Sequence, residues 1–447
     1  MAKKKKQKPN FKEFSITNPK TGQGIDVSPG VVEWRYYESI LSNHITSSLV
    51  YGETGNSVGE GKNAKDLLNG LPVRGGEPVR IRAVDDKGNE LKFIDDGALY
   101  VNRVKNVIQD TKSTVGQFDF CTKEYLSNEM TRCTKRYSGK ISESVTNILK
   151  NVLEIPPDKI DVEETANAYN FIANDRKPFY TLTWLGTKSI PTEEYGKTAG
   201  FFFFQTREGF KFKSADTLVG PTQGGGSADQ KSLKKFEYTN MIEGQDGFEK
   251  IINYNLNQNI DLQGKLVAGS YDNISYFINP YTFNVDYKEF NISKQSNSVK
   301  KAGTELDFVM EEFREEKHPT RGMTMVLDVG AMPSGSTGKE QVERWKKDTE
   351  ENPDTTNDKV MERVVQSIMR YNQLFSVHID VMIEGDFSLK AGDIVYCEFP
   401  GLGAQTKRPS KESSGIYLIA SVCHKVTSTQ SFTSMNLIRD SFGKKGG

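Results

Sequence analysis

The sequence has no paired cysteine motif, no long apolar run and no net charge, and each lack removes a class of protein. Its four cysteines, Cys121, Cys133, Cys397 and Cys423, stand alone. Without a CxxC pair there is no zinc knuckle, and scattered thiols of this kind suit a chain made in a reducing cytoplasm. Cys397 and Cys423 fall on segments read as strands, but no disulfide is expected. The longest apolar run, Ala199 to Phe204, is interrupted by Gly200 and is far too short to span a bilayer. Lys and Arg number 59, as do Asp and Glu, which argues against a whole-protein grip on nucleic acid or on an anionic membrane.

Reactive motifs are equally scarce. The histidines, His44, His318, His378 and His424, form no i,i+4 pair and no HExxH. GxSxG is absent. Gly335-Ser336-Thr337-Gly338-Lys339 fails as a phosphate loop, because Pro333 stands where a glycine is needed and Glu340 where a Ser or Thr is needed. Gly52, Gly55, Gly59 and Gly61 do not make GxGxxG, and no βαβ unit surrounds them. Acidic residues are scattered, and nothing marks a pair for sugar hydrolysis. Lys123, Arg132, Lys135 and Arg136 form a modest basic cluster, read as a solvated face. No catalytic, metal-ligating or cofactor-binding residue is assigned, and no enzyme activity is expected.

What is present is β pattern over a long chain. The 447 residues suit two to four domains, and 36% hydrophobic with 10% aromatic residues can fill several cores. The N-terminus opens with Lys3 to Lys6 and no apolar stretch, a mobile basic tail rather than a secretory signal. Trp34 to Val50 reads as strands, and Val79 to Val84 alternates with period two before a turn at Asp86, Gly88 and Asn89. Gln117 to Thr122 reads as a strand and Lys123 to Met130 as a short helix. Ile141, Val145, Ile148, Leu149 and Val152 keep a helical period, with Ser142 as N-cap and Pro156-Pro157 as the stop. A helix is predicted over Phe179 to Lys188. Phe201-Phe204, the Arg207-Glu208-Gly209 turn and Phe210-Lys213 predict a hairpin. Phe236 to Ile242 reads as a strand, Gly247 to Ile252 as a short helix, Ser275 to Phe290 as two strands, and Lys339 to Lys347 as a helix. Val360, Val364, Ile368 and Tyr371 follow a helical period; Val377, Ile379, Val381 and Ile383 then alternate strictly. Ile416–Val426 and Ser431–Ile438 form a closing hairpin.

Two stretches carry a family resemblance. The first holds Cys121-Thr-Lys-Glu124, Ser138-Gly-Lys-Ile141, Arg176-Lys-Pro-Phe179, Trp184 and Phe201 to Phe210. The second holds Gly385-Asp386, Leu389, Gly392-Asp-Ile-Val395, Phe399-Pro400, Gly415-Ile-Tyr-Leu-Ile419 and His424. Together they resemble the central baseplate hub proteins of T-even-like contractile-tailed phages and their marine relatives. The motifs are patterns of turns and buried residues, and the segment from 291 to 357 matches poorly.

The resemblance implies a β-rich α+β fold with two antiparallel β-barrel tube domains, an α+β domain and a peripheral insertion. The expected division is a disordered basic tail over 1–30, a first barrel over 31–114, the α+β domain over 115–219 and a hinge over 220–229. The second barrel is expected from 230–290 and 360–440, with the insertion at 291–359 and a flexible tail at 441–447. The implied role is a structural, homotrimeric adaptor that joins a six-fold tail tube to a three-fold spike and lines the DNA channel. Its implied partners are the central spike protein, the tail tube or tube-initiator protein and baseplate wedge proteins, with DNA only in transit and no membrane insertion. The implied location is the virion tail baseplate, after assembly in the host cytoplasm. Strands around Ile40, Ile45 and Leu49, and around Val377, Ile379, Val381 and Ile383, are the expected inter-subunit edges, because they could extend a sheet across subunits. A hub of a non-phage contractile injection system, a tail-associated cell-wall hydrolase and a β-rich adhesion module are the competing readings.

Overall fold

The computed structural model describes residues 10–54, 67–71, 73–110, 112–196, 198–220, 233–239, 247–257, 261–280, 283–295, 299–306, 319–328, 330, 337–351, 357–401 and 409–443. The expected hinge lies largely outside them.

The first barrel starts earlier than expected. β1 (Asn10–Thr17) turns back on β2 (Gly24–Asp26), so part of the stretch read as a mobile tail is a sheet strand. Phe14 and Ile16 are buried while Glu13 faces out to Arg80. A period-two pattern here is masked by the neighbouring lysines. β3 (Val31–Ser39), β4 (Thr46–Glu53), β5 (Pro78–Val84), β6 (Glu90–Phe93), β7 (Leu99–Gln109) and β8 (Thr114–Cys121) complete the unit. The strand order is β2-β1-β5-β7-β8-β4-β3, with β6 on β5. β8 lies between β4 and β7, so the expected boundary after residue 114 moves to the end of that strand. Val79, Ile81 and Ala83 point inward, joining Trp34, Tyr36, Leu49, Phe118 and Phe120 in one core. Burying each large side chain contributes about 1.5–3 kcal/mol. No ladder joins β1 to β3 among the described residues. Rings close that seam instead: Trp34 meets Phe11 at 5.8 Å and Phe14 at 6.2 Å.

The α+β unit follows. It holds β9 (Arg136–Tyr137), β10 (Ile160–Val162), β11 (Phe171–Ile172), β12 (Phe201–Thr206) and β13 (Gly209–Ser214). Helices span Lys123–Met130, Ile141–Asn147 and Pro178–Gly186, as the periodicity predicts. Ser142 is not the N-cap. Lys140 occupies that position without a side-chain bond, and the Ser142 N–H donates to the Thr165 hydroxyl at 3.0 Å, a partner from a distant loop. The β12–β13 hairpin forms as expected, with Thr206 opposite Gly209. Gly209 has φ +137°, and a Cβ there would lie 2.2 Å from the Lys159 carbonyl oxygen. Only glycine lets β10 approach this closely.

The second barrel begins with β14 (Lys234–Tyr238) and β15 (Glu249–Asn257). The segment read as a short helix from Gly247 to Ile252 is the start of β15. Its partner β20 forms a full ladder with it, and tertiary pairing overrides a weak local preference. The chain then leaves the barrel, also earlier than expected. β16 (Asp272–Ile278), β17 (Val285–Asn291), the short β18 (Glu305–Leu306) and β19 (Arg321–Val326) belong to the insertion, where β17-β16-β19 form their own sheet. Helices span Gly338–Glu351 and Asp358–Leu374. The latter packs on the insertion through Val365 and Met369 and on the α+β hairpin through Tyr371, whose hydroxyl donates to the Phe201 carbonyl at 2.6 Å. β20 (Val377–Glu384), β21 (Ile394–Glu398), β22 (Gly415–Thr427) and β23 (Ser431–Arg439) return to the barrel, and β24 (Ser441–Phe442) pairs β18. The ring β14-β15-β20-β23-β22-β21 closes on itself, a complete six-stranded barrel. The fold is β-rich α+β, as the sequence predicts.

The two barrels repeat one plan. In the first, the neighbours run β3-β4-β8-β7-β5; in the second, β15-β20-β23-β22-β21, all antiparallel. Taken in chain order, these are the same permutation of five strands. The sixth strand differs: β1 runs antiparallel to β5, whereas β14 runs parallel to β21. The whole insertion occupies the place of the short β3–β4 connection.

Candidate functional site

Among the described residues no group of three or more His, Cys, Asp and Glu could hold a metal ion, and no helix is long and apolar enough to cross a membrane. The phosphate-loop look-alike has a local explanation. Thr337 and Glu340 exchange bonds, the Thr337 N–H donating to the Glu340 carboxylate at 2.8 Å and the Glu340 N–H to the Thr337 hydroxyl at 3.3 Å. That is a capping box at the start of the Gly338–Glu351 helix. The four cysteines are free thiols. His44 stacks on Tyr125, His378 faces out beside Asp380, His424 is buried, and His318 lies outside the described residues.

The feature that organises the molecule is a seam. β22 is thirteen residues long, and one of its edges serves two partners. Residues 415–418 pair β21 within the second barrel, and residues 421–427 pair β3 of the first barrel, Cys423 opposite Tyr37 and Thr427 opposite Glu33. An unbroken run β7-β8-β4-β3-β22-β23-β20-β15 therefore crosses both barrels. Its inward side chains fill the two cores. Along its outward face the polar side chains Lys105, Asp119, Ser48, Arg35, Lys425, Ser434 and Asp380 lead from one end toward the other, with Val50, Val115 and Met382 among them. Three cations on this face lie against carboxylates. Lys105 pairs Asp119 at 2.7 Å, and Arg35 and Lys425 share Glu33.

Behind the seam a buried polar junction ties three units together. Glu38, on β3, accepts from the Tyr36 hydroxyl at 2.6 Å, the Arg207 N–H at 2.8 Å and the Ala391 N–H at 3.0 Å. Burial raises its carboxyl above the ordinary value, with those donors pulling back. Arg207, at the tip of the α+β hairpin, donates to the carbonyls of Ser388 and Leu389. Asp386 receives Lys87 of the first barrel and Lys234 of the second. Burial pushes its carboxyl up, but the Lys234, Ser388 and Lys87 contacts outweigh it and hold it far below the usual range.

His424 closes the junction. Its Nε2 lies 3.1 Å from the Leu389 carbonyl and its Nδ1 3.0 Å from the Thr433 hydroxyl. This pattern suits the neutral ring, Nε2–H donating and Nδ1 accepting. Burial lowers its pKa to about 3. The native state therefore binds fewer protons here than the unfolded chain between about pH 6.5 and pH 3. The stability contributed by the neutral ring is complete above about pH 6.5 and falls by about 1.4 kcal/mol per pH unit below it. Urea unfolding between pH 7 and pH 4.5 should show that slope, and His424→Gln should remove most of it. An unchanged slope in the variant would contradict the assignment.

The expected edge strands lie elsewhere than at a free edge. Ile45 and Leu49 point into the first core, and Val377, Ile379, Val381 and Ile383 into the second. Ile40 packs with Phe202, Leu374 and Ala420 between units. β3 and β4 are paired on both sides within the chain, as is β20. Alternating apolar residues mark a strand but not which of its edges the fold leaves open. The basic residues Lys123, Arg132, Lys135 and Arg136 are exposed, in line with a solvated face.

Comparison of the sequence with protein-family models and with curated proteins finds no match. Solved structures of similar fold include a tail protein from Neisseria meningitidis MC58, 8% identical over 96% of each chain with a TM-score of 0.49. The 43 kDa tail protein of prophage MuSo2 from Shewanella oneidensis is 9% identical over 96% of this chain and 99% of its own, with a TM-score of 0.49. An Escherichia coli component of the type VI secretion system is 8% identical over 99% of this chain and 80% of its own, with a TM-score of 0.41.

Proposed function

We propose that this chain is a structural subunit of a phage tail baseplate, a homotrimeric hub that joins a six-fold tail tube to a three-fold spike and lines the channel for DNA. The observation that carries the reading is the pair of barrels with one strand plan, joined edge to edge by β3 and β22. A subunit that already contains two equivalent units lets three copies present six similar faces to a tube and three distinct ones to a spike. The resemblance of residues 121–210 and 385–424 to baseplate hubs supports the same reading.

The role is mechanical, and the polar face suits a channel wall. Cations bind phosphates and make passage salt-dependent. On this face Lys105, Arg35 and Lys425 are each engaged by a carboxylate. The partners are the central spike protein, the tail tube or its initiator, and the wedge proteins.

Immunogold electron microscopy of phage particles, with antibodies to this chain, tests the role. Label confined to the tail end that carries the baseplate is expected. Label on the head or along the tube, or none on disrupted baseplates, would contradict it.

A further inference from the structure

The α+β unit carries an exposed patch that the role proposed above does not use. It lies where the end of the Lys123–Met130 helix, the β9–β11 pair and the start of the Pro178–Gly186 helix meet. Three contacts hold these pieces together. The Asn128 side chain accepts from the Phe179 N–H at 2.8 Å, Lys177 pairs Glu129, and the Cys133 N–H donates to the Arg176 carbonyl at 2.8 Å. Arg176 closes a tight turn, its N–H donating to the Ala173 carbonyl at 3.1 Å, with Asn174 at φ +50° and Asp175 at φ +59°. Left-handed backbone is costly for most residues, and Asn and Asp are among the few that take it readily.

The surface so fixed mixes cations with apolar side chains. Segments 129–136 and 172–180 hold five cations, Arg132, Lys135, Arg136, Arg176 and Lys177, against two carboxylates, Glu129 and Asp175. Lys177 is matched by Glu129, but among the described residues no carboxylate pairs with the other four. Arg132 turns back on the helix end and donates to the Glu129 and Thr131 carbonyls at 3.3 and 3.1 Å. Arg176 lies over the Tyr180 ring, 5.0 Å from its centroid. Among these cations stand Met130, Ile172 and Tyr180, exposed by 82, 44 and 53%. Ile172 sits opposite Arg136 in the β9–β11 pair. Water accounts for the cations, yet it is a poor neighbour for Met130 and Ile172. Met, Tyr and Arg are residue types enriched where proteins meet.

We propose that this patch docks an acidic stretch of another protein, one that carries apolar side chains among its carboxylates. The unpaired cations call for carboxylates, and Met130 and Ile172 call for apolar contacts. Duplex DNA offers phosphates but nothing for those two side chains to bury against. Stacking of single-stranded bases needs an open aromatic face, and Tyr180 already carries Arg176 on one of its faces. An anionic membrane takes up a broad apolar face, whereas here Asp175 is exposed in the same turn as Arg176 and would meet the lipid phosphates. The backbone beneath is held by the contacts above, so binding costs little ordering. β9 and β11 belong to none of the strands that run through both barrels, and the proposal stands whether or not copies of the chain form a ring.

Selection from a library of random short peptides, panned against the purified full chain, tests the chemistry. Recovered sequences enriched in both acidic and large apolar residues are expected. The best of them, made with a fluorescent label, should bind the chain and weaken with added salt. Its affinity should fall about tenfold or more for the chain carrying Arg136→Glu and Arg176→Glu. A second variant, Met130→Ser with Ile172→Ser, keeps every cation, and selection against it should still recover acids but no longer apolar residues. All four positions are exposed, so both variants should melt with the parent. Recovery of no class of sequence, of one lacking carboxylates, or of the same sequences from the charge-reversed chain overturns the proposal. So does displacement of the labelled peptide by single-stranded DNA or phosphatidylserine vesicles at lower concentration than by unlabelled peptide, which would make nucleic acid or membrane the occupant. Self-association of the parent that is lost on charge reversal would make a second copy the occupant and overturn it as well.

Discussion

Replacing Arg370 by leucine is expected to cost about 3–5 kcal/mol of stability, because it strips the cation from a buried charge cluster. The guanidinium is wholly buried on the helix Asp358–Leu374. It lies 3.0 Å from Asp216, at the end of the α+β unit, and 2.6 Å from Asp440, just past β23. It also donates to the Lys300 carbonyl at 2.8 Å. One side chain thus ties the insertion helix, the α+β unit and the second barrel together. Both carboxylates are fully buried, and without Arg370 each loses the guanidinium beside it. Removing the whole set is a different perturbation. A chain carrying Arg370→Leu, Asp216→Asn and Asp440→Asn should regain part of the loss, since uncharged replacements of a buried cluster are often tolerated. Urea denaturation compares them. A single variant as stable as the parent would show that the cluster holds nothing together.

Trp34→Ala is expected to cost about 3–5 kcal/mol, in the range for large aromatic truncations, and to open the first barrel at one place. The indole is wholly buried, its Nε1–H donating to the Ser47 hydroxyl at 2.7 Å. Its ring meets Phe11 and Phe14 across the only part of that barrel which lacks a ladder among the described residues. With the indole gone, β1 loses its packing partner on β3 while keeping its hydrogen bonds to β5. Hydrogen exchange should therefore quicken over Asn10–Thr17 more than over β20 or β23. Trp34→Phe, which keeps most of the ring, should lose less. Unchanged protection of β1 in the alanine variant would mean that something other than these rings closes the seam.

Much of the fold was legible, because period and turn chemistry agree where a strand has one dry face. β5, β20, the phenylalanine hairpin and the closing β22–β23 hairpin are of this kind. β1 was hidden by charge: Phe14 and Ile16 alternate with Glu13 and Ser15, but they follow a lysine-rich run that reads as solvated. β15 was hidden by asparagines, which stand where its outward face is polar and blur a strand into a loop. The insertion was legible as helices and a hairpin but not in extent, since its bounds depend on which barrel strand pairs which. The repeat of the two units was not legible at all. Positions such as Val32 and Ile252, Trp34 and Tyr254, or Val101 and Ile419 share character but not identity. The repeat appears only in the pairing pattern, and an open edge is a property of the whole sheet.

The central claim is that the chain is one third of a ring whose barrel-to-barrel step is already built into each subunit. Single-particle electron microscopy of the purified chain, alone and with its spike partner, tests it most directly. The account predicts closed three-fold rings of six barrels, with the face of Arg35, Asp119 and Asp380 turned to the bore. Lone monomers in every mixture, or rings with that face turned outward, would contradict it.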